Sequence, residues 1–415
     1  LRGSRQGWDN NPLGNPSANG RAAHWENRIV AEHSTIPPLW AIGGVGFLLV
    51  AAILISFFLP ASSPKTILAP AYRIVDLSEL GGKKTKVCGF NGVGDLVGEF
   101  DQPKGKKGAF LWNSEEGFTE LGGFGGSQSR AYSVDKNRQV VGHSQSPDNH
   151  KRAFIWDPER GLREIGDLGG ETSDAFSFTP FGGVLGESAT DGTSGVRAYL
   201  WTEEAGMKNL GSLGGDFSTA NVMNEKGEAV GTSLLKDRAQ THGFIWTATS
   251  GLEDLGSLLP EFASTANGIN NHRVVVGSAE LDKNETHAVL WDASGEIHDL
   301  GTLGGTVSQG YTLNDSMMVV GWSETHEGFQ NHVFLRAAEL WGDLTGHRLL
   351  EKTPHAFLYD WKSKQGIDLN DRIDTESGWV LLRALGIDPE GRILADGFHQ
   401  GTLRTCFLIP ESGAR

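Results

Sequence analysis

Histidines recur in this sequence at a spacing that raises the question of metal binding. His242, His287 and His332 follow one another at a strict interval of 45 residues, and imidazole is a common zinc ligand. The same interval counted backwards reaches Arg197 and Arg152, which are not ligands of that kind. The pattern therefore favours a recurring strand position, and the sequence predicts no metal site.

Carboxylates occupy a second recurring position, each followed by Leu or Ile. They are Asp76, Glu120, Glu164, Asp254, Asp299 and Asp368. In a closed ring of repeats they could surround a central channel and bind a cation, whereas acids at solvent-facing strand ends are the ordinary alternative. A hydrolase with paired carboxylates needs two acids about 5 or 9 Å apart across its substrate, and repeat symmetry alone supplies no such odd pair.

The two cysteines, Cys88 and Cys406, lie in the first and last repeats. If the repeats close into a ring, these become neighbours, and a disulfide between them would lock the ring. Two buried free thiols are the alternative. No Gly-x-Ser-x-Gly, P-loop, His-Glu-x-x-His or dinucleotide fingerprint is convincing, so neither catalytic residues nor a cofactor is predicted.

The composition is that of a folded, acidic protein. Charged residues make up 21% and hydrophobic residues 38% of the 415 residues, and the net charge is −15. Binding to a nucleic-acid backbone requires clustered Lys and Arg, so nucleic acid is not expected as a partner.

One apolar segment predicts a transmembrane helix at 37–60. Residues 39–59 carry no charge over 21 positions, about 31 Å of helix and close to the thickness of the hydrocarbon core. Trp40 lies where an interfacial aromatic residue would anchor the helix. Gly43, Gly44 and Gly46 would let another helix approach closely. A signal peptide is the alternative, although 38 residues ahead of the apolar core are unusual for one.

The segments around this helix differ from the rest of the chain. Residues 1–36 form a polar leader without a hydrophobic period, and such a segment becomes ordered only against a partner. Residues 61–71 are predicted to be a linker.

A repeat fills the range 72–410. Tryptophans recur at intervals of 44, 45, 45 and 45 residues. They are Trp112, Trp156, Trp201, Trp246 and Trp291. Gly pairs and an aliphatic residue followed by Gly, as in Val230-Gly231, recur in the same register. The intervals between the recurring polar positions indicate seven repeats, one of which carries an insertion at about 327–353.

Each repeat contains four short β segments, with a type I turn between the second and third. The turn begins at Asn or Asp, as at Asn224, whose side chain can bond to the following backbone. Repeats of this length with four strands are typical of propeller blades. The predicted fold is therefore an all-β, seven-bladed propeller preceded by the membrane helix; an open β solenoid is the alternative.

The repeats resemble the HAF repeat family, named after a His-Ala-Phe tripeptide that is present at His355-Ala356-Phe357. Related forms include His242-Gly243-Phe244 and His287-Ala288-Val289. The resemblance implies a propeller-like domain outside the cytoplasm, periplasmic or at the cell surface, which places the N-terminus in the cytoplasm. It implies no activity.

These observations favour a non-catalytic, structural subunit of a membrane complex, for example a respiratory or photosynthetic assembly. Its partners would be integral membrane subunits, bound through the helix and the leader, and the lipid bilayer. The alternative is a membrane-anchored surface module that binds glycan or protein. A third possibility, a propeller hydrolase or lyase, requires titratable side chains that converge in the central pocket.

Overall fold

The computed structural model describes residues 71–192, 195–325 and 354–411, and over these ranges the chain is all-β. The described helices are three short 3-10 turns, Pro103–Gly105, Leu369–Arg372 and Thr375–Ser377. The all-β part of the prediction is thus confirmed.

The strands form seven antiparallel blades; six are built from consecutive strands, and the seventh takes one strand from the start of the described chain. Blade 1 contains β3 (Lys83–Phe90), β4 (Leu96–Asp101), β5 (Lys107–Asn113) and β6 (Gly117–Gly122), with the short β2 (Glu79–Leu80) added to β3. Blade 2 contains β7 (Ser129–Val134), β8 (Val140–Gln145), β9 (Lys151–Asp157) and β10 (Gly161–Glu164). Blade 3 contains β11 (Gly169–Phe178), β12 (Val184–Thr190), β13 (Val196–Thr202) and β14 (Gly206–Gly211).

The remaining blades follow the same scheme. Blade 4 contains β15 (Gly214–Met223), β16 (Ala229–Leu235), β17 (Thr241–Thr247) and β18 (Gly251–Asp254). Blade 5 contains β19 (Ser264–Ile269), β20 (Val275–Glu280), β21 (Thr286–Trp291) and β22 (Ile297–Asp299). Blade 6 contains β23 (Gly304–Leu313), β24 (Met318–Thr325), β25 (Pro354–Asp360) and β26 (Gln365–Asp368). Blade 7 contains β27 (Trp379–Ile387), β28 (Ile393–His399), β29 (Thr402–Pro410) and β1 (Tyr72–Asp76).

Blade 7 combines strands from both ends of the described chain. β1 pairs antiparallel with β29, from Tyr72 opposite Pro410 to Asp76 opposite Cys406. The first described strand therefore completes the last blade, so hydrogen bonds hold the ring closed. Across the junction the rings of Phe90 and Phe407 meet edge to face, with centroids 4.9 Å apart.

The first strand of each blade lies innermost and contacts the first strands of its neighbours. Apolar side chains fill the spaces between blades: Val141 and Ile155 of blade 2 pack with Ala175 of blade 3. The recurring Gly of the second strand faces a bulge in the first strand. A Cβ on Gly231 would lie 1.9 Å from the carbonyl oxygen of Thr219, so this close approach requires glycine.

The turns after the inner strands form a second ring of contacts, called the turn girdle below. Its residues are Asn91, Asp135, Thr179, Asn224, Asn270, Asn314 and Asp388. The Asn224 side chain accepts hydrogen bonds from the Lys226 and Glu228 N–H groups, both at 3.0 Å. Its Nδ2 donates to the Asn270 carbonyl of the next blade at 3.0 Å. The girdle therefore shapes each turn and connects adjacent blades.

The predicted membrane helix is not part of this architecture. Segment 37–60, with Trp40, Gly43, Gly44 and Gly46, lies outside the described residues, as do the leader 1–36 and the insertion 327–353. In the ranges that the structure covers, no helix is long and apolar enough to cross a bilayer. The assignment as a single-pass membrane protein with an extracytoplasmic propeller is therefore corrected to an all-β propeller.

Candidate active site at the channel mouth

The recurring carboxylates lie on the outermost strands, at the rim of the propeller, and do not surround the channel. They take part in ion pairs, three of them with histidines: His242–Asp254 at 2.8 Å, His287–Asp299 at 2.9 Å and His355–Asp368 at 2.5 Å. The others are Arg152–Glu164, Arg404–Asp76 and Lys83–Glu120. The histidine period is thus a rim pairing; His332 lies outside the described residues.

Cys88 and Cys406 are both free thiols, Cys88 partly buried and Cys406 buried. Cys406 is fully buried in the core around blades 6 and 7. Cys88 lies on the inner strand β3, where burial raises the pKa of its thiol to about 11. Neither thiol is activated as a nucleophile, because the thiolate is the reactive form.

A ring of paired side chains lies on the two innermost strands of the blades; we call it the mouth ring. Each blade contributes one residue of its first strand and the residue opposite it on the second strand. The pairs are Lys86–Glu99, Arg130–His143, Asp174–Glu187, Thr219–Thr232, Thr265–Ser278, Gln309–Trp322 and Arg383–Asp396. Directly opposed residues on one face of a sheet have Cβ atoms about 5 Å apart.

The mouth ring is divided into two arcs of different chemistry. The pairs of blades 7, 1, 2 and 3 are all ionisable, whereas those of blades 4, 5 and 6 are neutral. In the neutral arc Thr265 and Ser278 share a hydrogen bond of 2.9 Å, and Trp322 Nε1 donates to Gln309 Oε1 at 3.1 Å. The structure therefore concentrates acid–base groups on one side of the channel.

Charged groups of the first arc contact one another across the blade boundaries. Arg130 of blade 2 pairs with Glu99 of blade 1 at 2.6 Å. His143 Nδ1 lies 2.7 Å from Asp174 Oδ1 of blade 3, and Lys151 Nζ lies 2.9 Å from Asp174 Oδ2. His143 and Asp174 are each 5% exposed, so water screens this contact only weakly.

The adjacent carboxyl groups Asp174 and Glu187 have pKa values shifted in opposite directions. Burial alone raises the pKa of Asp174, but His143 and Lys151 outweigh burial and hold that pKa below its usual value. Burial raises the pKa of Glu187, a hydrogen bond from Thr219 opposes this, and the charge of Asp174 raises it further. Asp174 is thus an ionised partner for His143, and Glu187 is suited to keep and donate a proton.

Tyr132 connects this acid–base cluster to the interior of the channel. Its ring centroid lies 5.6 Å from that of His143 and 5.7 Å from that of Phe176. Burial, followed by the negative charge of Asp174, raises the pKa of its hydroxyl. Tyr132 therefore stays protonated and can donate a hydrogen bond at the inner side of the cluster.

A cavity of about 460 Å³ lies along the inner strands, bounded by Asn91 and Asp388 of the turn girdle; we call it the channel cavity. Its wall includes Tyr132 and Phe176, two residues beyond Arg130 and Asp174 on the same strands. A volume of this order is typical of pockets that bind small molecules.

One further group in the described ranges could supply three ligands to a metal ion: Asp292 and Glu296 in the turn between β21 and β22, and His298 of β22. The Asp292 carboxylate already accepts hydrogen bonds from Ser294 and from His298 Nε2 at 2.9 Å. Such contacts also occur in turns that hold no metal, so this group carries no assignment.

Sequence reasoning missed the mouth ring because it looked for positions at which the repeats agree. The first-strand members lie five residues before the turn girdle. The repeats carry Lys86, Arg130 and Asp174 there in blades 1 to 3 but Thr219 and Thr265 in blades 4 and 5. That variation within a regular register was the available signal.

Comparison with known proteins supports the fold. The chain is similar to the β-propeller domain of the Trilobed protease from Pyrococcus furiosus, with a TM-score of 0.51, 9% identity, and coverage of 80% of this chain and 96% of that one. It is also similar to an oligogalacturonate lyase in complex with manganese (TM-score 0.47, 9% identity, 84% and 98% covered). For TolB from Acinetobacter baumannii the values are 0.36 and 15%, and the match covers 57% of this chain but only 56% of that chain.

No family model and no curated protein matches the sequence, so the resemblance to HAF repeats stays a prediction. At such low identity the structural likeness shows the propeller fold alone. The prediction of a non-catalytic membrane subunit is corrected, because the described helices provide no membrane span.

Proposed function

We propose that this protein is a hydrolase whose acid–base site is the charged arc of the mouth ring. One observation carries the proposal: Glu187, Asp174 and His143 lie in one contiguous cluster, and the pKa values of the two carboxyl groups are shifted in opposite directions. Adjacent titratable groups with separated pKa values are typical of catalytic acid and base assignments.

In this proposal the three groups have distinct roles. Asp174 binds His143 Nδ1 and orients the imidazole, so that the other ring nitrogen can take a proton from an attacking water. Glu187 gives its proton to the leaving oxygen as the ester or glycosidic bond breaks. The proton on His143 then passes back to Glu187 through solvent, which restores the starting state.

Arg130 supports the same reaction through charge. It lies on the inner strand directly opposite His143 and is 34% exposed, although paired with Glu99. A guanidinium at this position can stabilise negative charge that develops on the substrate. The opposite wall of Thr and Ser side chains offers hydrogen bonds to hydroxyl groups of a polar substrate.

The test is hydrolysis of a panel of 4-nitrophenyl esters and glycosides by the full chain, followed by release of 4-nitrophenolate. Glu187→Gln should lower kcat by about 10²–10⁴-fold, as expected for loss of a general acid. Glu204→Gln is the matched control, because Glu204 is an exposed carboxylate of the same blade, and it should leave kcat unchanged. Wild-type protein that hydrolyses nothing in the panel, or equal rates for both variants, would contradict the proposal.

A further inference from the structure

The channel cavity lies beside the proposed acid–base site and contacts it through Tyr132, although His143, Asp174 and Glu187 are not part of its wall. Phe176 follows Asp174 by two residues on β11, and the Tyr132 ring lies between His143 and Phe176. A group held in the cavity is therefore adjacent to the groups that would perform the reaction.

The cavity wall combines apolar side chains with polar ones such as Asn91, Thr312 and Asp388. Blades 2 and 3 contribute Tyr132 and Phe176, and blade 7 contributes Leu385 and Ile387. Polar neighbours on the wall already have protein partners: Ser177 Oγ donates to the Asn221 carbonyl at 2.7 Å. The apolar part of the wall, formed by Tyr132, Phe176, Leu385 and Ile387, is therefore the part that can contact an apolar guest.

The two aromatic rings favour a planar guest. Tyr132 and Phe176 meet edge to face, with an interplanar angle of 66°, and both are only partly buried. A third aromatic ring can pack against such a pair, with its centroid about 4.5–7 Å from the centroid of each neighbouring ring. An aliphatic wall from blade 7 can cover the other side of the guest.

We infer that the channel cavity binds an aryl group of the substrate, while the bond to be cleaved lies at Glu187 and Asp174. This inference deepens the proposed function and rests on it for the position of the reacting bond. The substrate class is then a small aryl ester or aryl glycoside.

The inference is tested by titrating the full chain with indole and with cyclohexanol, followed by calorimetry. Indole should bind and cyclohexanol should bind more weakly. Phe176→Ala should weaken indole binding by about tenfold, the equivalent of losing one aromatic contact. Phe181→Ala is the matched control: it makes the same change in the same blade, but Phe181 is 69% exposed at the turn, and indole binding should not change.

A second variant keeps the test decisive if Phe176→Ala does not fold. Thr312 lies on the cavity wall in blade 6, and Thr312→Trp should fill the cavity and abolish indole binding. The inference is overturned if wild-type protein does not bind indole, if cyclohexanol binds equally well, or if the variants bind like wild type.

Failure of this inference is distinguishable from failure of the proposed function. Glu187→Gln should bind indole as wild type does, because Glu187 is outside the cavity wall. Indole binding without hydrolysis supports the inference and contradicts the hydrolase. Hydrolysis that is equally fast for alkyl and aryl esters supports the hydrolase and contradicts the inference.

Discussion

The turn girdle and the mouth ring differ in how much their residues vary from blade to blade. At the turn girdle six of the seven residues are Asn or Asp, and several donate a side-chain hydrogen bond to the next blade, as Asn270 does to Asn314. At the mouth ring the equivalent position holds Lys, Arg, Asp, Thr or Gln. The girdle positions hold nearly the same residue in every blade because they make the same contact at every blade junction. The mouth-ring positions differ between blades, so that each junction there has its own chemistry.

This comparison makes substitution effects predictable. Substitutions in the girdle should reduce stability and leave activity unchanged, because the side chains there form hydrogen bonds with backbone groups. Changes in the mouth ring should alter activity and the pH dependence of stability.

Asn270→Ala should cost about 2–3 kcal/mol of unfolding free energy, measured by urea denaturation. The buried Asn270 side chain accepts from the His272 and Val274 N–H groups and donates to the Asn314 carbonyl, and unsatisfied buried groups are costly. His272→Ala, two residues along in the same turn and exposed, should cost less than about 1 kcal/mol. If both variants lost the same unfolding free energy, the side-chain hydrogen bonds of the girdle would not be the source of the stabilisation.

Asp174→Asn should cost about 2 kcal/mol at neutral pH, because His143 and Lys151 lose their charged partner. The native pKa of Asp174 is depressed, so its contribution is present above the unfolded-state pKa of about 3.9. It is lost as pH falls through the native pKa. Urea denaturation at a series of pH values should show the two proteins converging in acid; a difference that does not change with pH would show that ionisation of Asp174 does not contribute to stability.

Glu187→Gln should stabilise the protein at neutral pH by about 0.5–2 kcal/mol while abolishing activity. The native pKa of Glu187 is raised by burial, so ionised Glu187 disfavours folding above that raised pKa. The penalty disappears below about pH 4.3, where the carboxyl is protonated in both states. A less stable variant at neutral pH, in the same denaturation series, would show that Glu187 serves structure and not chemistry.

His287→Ala at the rim should change the unfolding free energy by less than about 1 kcal/mol. The partner carboxylate, Asp299, is 40% exposed, and ion pairs at such positions are screened by water and salt. Thermal unfolding at low and high salt would check this, and a loss as large as that of Asn270→Ala would place the rim pairs among the structural contacts.

The regular part of the fold was predictable from the sequence. The tryptophan period and the recurring Val-Gly pairs predict short strands, because only a repeating sheet demands the same residues at the same interval. Val230-Gly231 illustrates the reason, since a side chain at Gly231 would collide with Thr219. The prediction of a membrane-spanning helix, made from apolar segment 37–60, is corrected, because no helix of the described residues could cross a bilayer.

The candidate site was not predictable in the same way. Catalytic motifs rely on fixed local spacing, whereas Asp174 meets His143 from 31 positions away in the chain, and only the packing of blade 2 against blade 3 brings them together. The rim histidines show the reverse case. Their regular spacing raised the question of a metal site, but the structure pairs them with carboxylates of their own blades, as His242 with Asp254.

The sequence by itself determined the strand pattern, the turn residues and the repeat length, because these depend on contacts that recur locally in every blade. Tertiary structure decided which strand faces the channel, how β1 closes blade 7, and that Asp174 and Glu187 have opposite pKa shifts. Burial and neighbouring charge set a pKa, and both depend on which blade stands next to which.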